Sequence, residues 1–275
     1  MRVHKLLQSV IKNKKTRIGI NFDPMPEAIA ELPRGTTFDT FVDEIINAVA
    51  PYVAAFKINT QHMLLRLSRA RVVRVVEKIK EFEVPVIVDH KLSDIGNSNS
   101  VSVHYLLSQI GFDGLTIHPL IGWTNGVEAI MREAEKFDAA VFSVVYMSHP
   151  GAKDFYELKV SKDSKPLYMK FVEASVNWGL TGVVIGATYP EKVEEICSFL
   201  LTQKKTRVVI TTGYGVQGGD ISAIPESVSG LDFLAFVGRS VLYAFRNPAY
   251  SHLPYTEASA NAVRDFRDLL NSHLG

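Results

Sequence analysis

Asp89-His90-Lys91-Leu92-Ser93-Asp94 places two carboxylates and an ammonium group within six residues, directly after the apolar run Val86-Ile87-Val88. Side chains alternate along a strand, so Ile87, Asp89 and Lys91 are expected on one face. Charges at the end of a core strand are costly to desolvate unless they are paired or used. Lys57 closes another apolar run, Ala54–Ile58, and becomes a spatial neighbour if successive runs pair. Lys57, Asp89, Lys91 and Asp94 would then form one alternating array. Such an array keeps Lys91 protonated and sets the charge of Asp89 against a substrate group. That suits a reaction in which carboxylate leaves and a carbanion is protonated. An ordinary salt-bridged surface loop is the competing reading.

Gly213-Tyr214-Gly215-Val216-Gln217-Gly218-Gly219-Asp220 is the second chemical feature, and Gly238-Arg239-Ser240 the third. A glycine-rich loop is weak evidence alone. Arg239 adds a planar fork suited to phosphate. Asp23, in Asn21-Phe22-Asp23-Pro24, is read equally as a turn residue or a ligand contact. His118-Pro119 offers a candidate base, although a lone histidine there is more often structural. Ser148 either faces ligand or caps a turn. Asp89 and Asp94 lack the further ligands at firm spacing that a metal site needs.

These groups need elements to hold them. Near-continuous Val, Ile, Ala and Phe runs predict strands at Arg17–Phe22, Ala54–Ile58, Pro85–Asp89, Gly114–His118, Ala140–Val145, Gly182–Ile185, Val208–Thr211 and Phe233–Val237. Such runs mark parallel strands covered on both faces. Helical patterns lie between them. Phe38, Phe41, Val42, Ile45, Ile46 and Val49 form one stripe, and Thr188-Tyr189-Pro190-Glu191 reads as a capping box. Flanking helices are expected at Met1–Lys12 and Thr256–Leu274.

Eight βα units predict a single-domain (β/α)8 TIM barrel over residues 1–275. An open doubly wound sheet also alternates strands and helices. The barrel is preferred because Asp23, Lys57, Asp89, Lys91, His118, Ser148, Gln217 and Arg239 all follow strand C-termini, where barrels build their sites. The loops after the last two strands are then the expected phosphate site. The polar segment Met147–Lys165, with Pro150-Gly151, is the candidate lid.

Composition narrows the partners. Of 275 residues, 47% are hydrophobic, and 30 basic against 29 acidic residues leave a charge of +1. No basic field suggests nucleic acid. Cys197 is the single cysteine, which excludes an intrachain disulfide and a multi-cysteine metal site. No apolar run is long enough to span a bilayer, and the N-terminus lacks a signal-peptide pattern. A cytoplasmic protein is therefore the expectation.

Asp89-His90-Lys91-Leu92-Ser93-Asp94-Ile95 resembles the D-x-K-x-x-D-I signature of the orotidine 5′-phosphate decarboxylases. Lys57, Met147-Ser148-His149-Pro150-Gly151, Val184–Glu191, Gln217-Gly218-Gly219-Asp220 and Val237-Gly238-Arg239-Ser240 resemble the same family in order. The resemblance runs from about Gly19 to Ala244 and is nearest the longer bacterial and archaeal form. It implies cofactor-free and metal-free decarboxylation of orotidine monophosphate to uridine monophosphate. Lys91 would then deliver the proton, in an array with Lys57, Asp89 and Asp94. Asp23 would bind ribose, Ser148 the pyrimidine, and Gln217 and Arg239 the phosphate, with Gly218 and Gly238 also among the substrate-binding residues. Asp94 and Ile95 would reach into a neighbouring subunit's site, which implies a homodimer. Ser98 stands where the family usually has Thr. Thr212-Gly213-Tyr214-Gly215 stands where it usually reads Pro-Gly-Ile-Gly or Pro-Gly-Val-Gly; Tyr214 adds a phenol near the phosphate loop, and the effect of Thr212 and Tyr214 on loop closure and affinity stays open. Two other readings stay open. One is a magnesium-dependent sugar-phosphate decarboxylase or aldolase of the same superfamily; the other is a non-catalytic nucleotide-binding barrel.

Overall fold

Each predicted apolar run forms a strand. The computed structural model describes residues 2–160, 164–203, 208–215 and 218–274. The strands are β1 (Ile18–Asn21), β2 (Ala55–Asn59), β3 (Val86–Leu92), β4 (Gly114–Ile117), β5 (Ala140–Tyr146), β6 (Gly182–Gly186), β7 (Val208–Thr212) and β8 (Asp232–Val237). All pair in parallel in sequence order, and β8 returns to β1 with Gly19 opposite Phe236. Closure decides between the two folds, because a doubly wound sheet would leave edge strands unpaired. This is a (β/α)8 barrel.

Alternation sorts the core into two apolar clusters. Ile18, Ile20, Leu115 and Ile117 pack outward with residues of the surrounding helices. Ala55, Ile87, Phe142, Val184, Ile210 and Phe236 join the other cluster, with Val3, Leu7 and Val10 of the first helix, Arg2–Lys14. His4 Nε2 lies 2.7 Å from Asp232 Oδ2 at the start of β8, so this helix covers the N-terminal end of the barrel. The opposite rim is left for chemistry. Helix Phe38–Val49 buries Phe41, Val42, Ile45, Ile46 and Val49, the predicted stripe, and Thr37 caps it. The last helix is Tyr255–Leu274. No helix among the described residues is long and apolar enough to cross a membrane.

Two local expectations are corrected. Strict alternation through Lys91 fails, because the register of β3 against β4 shifts between Val88 and Leu92. Lys91 itself has φ 52°, a left-handed conformation that a residue with a Cβ adopts at a cost of about 1–3 kcal/mol. The predicted capping box is not formed either. Helix Pro190–Leu201 starts on Pro190 as expected, but Thr188 Oγ1 turns away and donates to Ser148 O at 2.8 Å. That bond ties the start of the segment after β5 to the β6 rim. Gly186 makes the approach possible, since a Cβ there would lie 2.6 Å from Ser148 Cα.

Candidate active site

Asp89 is clamped between two ammonium groups. Lys57 Nζ lies 2.6 Å from Asp89 Oδ2, and Lys91 Nζ lies 2.8 Å from Asp89 Oδ1. β2 and β3 create the first contact, because their register sets Asn59 opposite Asp89 and Lys57 opposite Ile87. The bulge creates the second by turning Lys91 back over the carboxylate. Thr116 on β4 completes the cluster. Its hydroxyl donates to Asp89 Oδ1 at 2.8 Å and accepts the Lys91 backbone N–H at 3.0 Å. One side chain therefore orients the carboxylate and pins the strained backbone that carries Lys91.

The electrostatics follow from this packing. Burial pushes the Asp89 carboxyl up, but Lys57 and Lys91 more than offset it and hold the group well below the usual carboxylate range. Asp89 is ionised at any working pH. Lys57 is 3% exposed, with its ammonium 5.8 Å from the centre of the Phe236 ring, so Asp89 is the counterion at its buried end. Asp23 behaves in the opposite way: burial raises its pKa, against the pull of Lys57 and of the Asn59 backbone N–H donated at 2.9 Å. His118 is lowered by burial and by the charge of Lys91. It lines neither lobe of the cleft described next.

The cleft at the rim has two lobes. One, of about 250 Å³, is lined by Lys57, Asp89, Lys91, Ser148 and Thr212, among others. The second, of about 270 Å³, is lined by Gly213, Tyr214, Phe236, Gly238 and Arg239, among others. Asn21, Asp23 and His62 border both. Apart from Gln217 and Gly218, the predicted ribose, pyrimidine and phosphate residues of this chain's own cleft thus fall along one path from Lys91 to Arg239. Gln217 lies outside the described residues.

Around the second lobe the loops after β7 and β8 touch. Gly215 has φ +74°, a left-handed conformation that favours glycine, and it lies against the Ser240 side chain of the loop after β8. Gly219 N–H donates to Gly213 O at 3.0 Å, which closes the loop on itself. Tyr214 borders the lobe, but its phenol is buried 2.6 Å from Thr211 Oγ1 rather than offered to a ligand. Thr212 accepts from Asn21 Nδ2 at 2.9 Å, a contact that proline could not make. Both departures from the expected loop sequence are thus absorbed within the protein.

Asp94 stands apart from the clamp within this chain. It is exposed and accepts the Ile95 backbone N–H. Ile95 is 61% exposed, and Ser98 is exposed beside it. Three of the four predicted array residues therefore meet within this chain. Sequence reasoning passed over Thr116, Asn21 and His62. Thr116 had a usable signal, a polar residue at an inward position of an otherwise apolar strand. His62 had none, because the turn after β2 decides where it points. Among the described residues no three His, Cys, Asp or Glu side chains gather as a metal-ligand set.

A closed barrel with a charge clamp at its C-terminal rim, opening on a glycine-rich loop and an arginine, defines a TIM-barrel enzyme. Residues 35–251 match the sequence model of the orotidine 5′-phosphate decarboxylase / HUMPS family, and the chain belongs to that family. It is 30% identical to an orotidine 5′-phosphate decarboxylase of Thermomicrobium roseum, over 96% of this chain and 94% of that one. It is 27% identical to the decarboxylase of that name from Roseiflexus castenholzii, over 100% and 99%. Among solved structures it resembles a putative orotidine-monophosphate decarboxylase of Toxoplasma gondii, with a TM-score of 0.80 at 21% identity over 98% and 96% of the two chains. It also resembles the Methanocaldococcus jannaschii enzyme complexed with the inhibitor BMP, with a TM-score of 0.71 at 23% identity over 93% and 99%. At these identities the structures speak for the fold.

Proposed function

We propose that this protein removes carbon dioxide from orotidine 5′-phosphate to give uridine 5′-phosphate, in pyrimidine biosynthesis. The observation that carries the reading is Asp89, ionised and clamped by Lys57 and Lys91 at the wall of the cleft. With the phosphate in the lobe of Arg239 and Gly213, the base reaches the lobe of Lys91. Asp89 then faces the substrate carboxylate. The like charges repel in the ground state, and the repulsion is relieved as the carboxylate leaves. The C6–carboxylate bond breaks, its electron pair stays on C6, and the Lys91 ammonium gives that carbon a proton. Lys57 holds Asp89 in place throughout. Ser148 contacts the pyrimidine, and Asp23 the ribose. Binding of the remote phosphate lowers the barrier at the base. The relatives named above carry the decarboxylase name, which weighs for this reaction over magnesium-dependent sugar-phosphate chemistry. Purified protein in EDTA should deplete the ultraviolet absorbance of orotidine monophosphate and yield uridine monophosphate. Turnover that appears only on adding magnesium would sink this mechanism.

The same reading makes the protein a cytoplasmic homodimer with shared sites. Asp94, Ile95 and Ser98 lie exposed just beyond the strand that carries Lys91, where a second copy can receive them. Mixing inactive Lys91→Ala chains with inactive Asp94→Ala chains should then restore part of the activity, because hybrids hold one intact site. No recovery on mixing would refute the shared site.

A further inference from the structure

We infer that His62 reads the ribose of the bound nucleotide by hydrogen-bonding one of its hydroxyls; this rests on the nucleotide reading above. Asn21, Asp23 and His62 are the residues common to both lobes of the cleft. With the base at Lys91 and the phosphate at Arg239, the part of the nucleotide that crosses between the lobes is the sugar. Residues common to both therefore face it.

Of the three, His62 has the most to offer. The Asn21 amide nitrogen is already donating to Thr212, which leaves only its buried Oδ1 as an acceptor, and Asp23 already accepts from Asn59, so neither offers a ligand a donor as His62 does. The half-buried imidazole of His62 has no hydrogen bond to any other described residue. Neutral imidazole carries one donor and one acceptor. A polar ring enclosed by a ligand needs a partner. Ribose hydroxyls both donate and accept, and an imidazole N–H beside Asp23 adds a donor next to a side chain that already serves as an acceptor.

The position of His62 is also built. It sits in a single wide turn, Thr60–Leu64, closed by Leu65 N–H donating to Thr60 O at 3.1 Å. Asn59 organises that turn from both sides. Its side chain accepts the Gln61 N–H at 2.8 Å, and its own N–H donates to Asp23. Thr60 Oγ1 lies 2.8 Å from His90 Nδ1, which anchors the turn to β3. His62 is therefore tied through the backbone to Asp23, near enough for the two to interact electrostatically.

Titration calorimetry with uridine monophosphate and its 2′-deoxy and 3′-deoxy analogues tests this. Wild-type protein should bind the analogue lacking the read hydroxyl about tenfold more weakly. His62→Ala should bind uridine monophosphate about tenfold more weakly than wild type, yet bind that analogue no worse than wild type does. His62→Gln, whose amide also donates and accepts, should recover part of the loss. The inference is overturned if His62→Ala binds uridine monophosphate as wild type does, or if it weakens all three ligands by the same factor. Wild-type protein that binds uridine monophosphate without consuming orotidine monophosphate overturns the reaction and leaves the ribose contact standing. Wild-type protein that binds no uridine monophosphate overturns both.

Discussion

Lys91→Ala is expected to lower kcat for orotidine monophosphate by at least about 10³-fold, the order contributed by a positioned proton donor together with its charge. The fold should survive the change. Lys57 still pairs with Asp89 at 2.6 Å, and Thr116 still binds the same carboxylate, so no buried charge is stranded. Uridine monophosphate should accordingly bind within about tenfold of wild type, which separates a catalytic loss from a collapsed site. Lys91→Arg is the stricter test. It keeps the positive charge, but a guanidinium does not give up its proton at working pH, so it should stay inactive. Turnover by Lys91→Ala within tenfold of wild type would remove Lys91 from the role of proton donor.

Asp89→Ala should abolish activity and also cost stability, on the order of 3–5 kcal/mol, because Lys57 is left as a buried charge without its counterion. For a chain of this size that corresponds to a fall in Tm on the order of 10 °C. The sign of the pH dependence follows from the lowered pKa of Asp89 in the folded state. Its stabilisation is fully present above the unfolded value near 3.8 and is lost as pH falls through the folded one. The wild-type advantage over the variant should therefore be constant at neutral pH and shrink in acid. Adding Lys57→Met to Asp89→Ala should return much of the lost stability without activity, since an apolar side chain replaces the stranded ammonium. Thermal unfolding of the two variants at pH 7 measures this. A single variant as stable as wild type would mean that the clamp contributes nothing to folding.

Much of this architecture was legible before any coordinates. Val208-Val209-Ile210 or Phe233-Leu234-Ala235 can be little other than strands covered on both faces, because a half-exposed strand would alternate. The predicted strand ends agree with the observed ones to within a few residues. Asp89, Lys57, Ser148 and Arg239 could be placed at the cleft for a related reason: a charge or hydroxyl just after a buried strand is conspicuous, and a barrel turns all such ends to one rim.

Other features depend on contacts that one-dimensional spacing does not encode. Simple alternation would aim Lys91 as the next inward residue after Asp89, but the real cause is a bulge and a left-handed backbone held by Thr116, a residue of the next strand. Thr188 looked like a helix cap because capping is a local rule; in the folded chain Ser148 O lies within reach and takes the hydroxyl instead. Tyr214 looked like a new phenol beside the ligand, and it is turned inward because Thr211 and the apolar core receive it. By itself the sequence determined the eight strands, their alternation with helices and the charged groups at the strand ends, since burial periodicity and charge placement are local properties. Tertiary structure alone decided which groups touch, which stand apart like Asp94, and that His62 joins the two lobes, because barrel closure and turn geometry bring together residues that are distant in the chain.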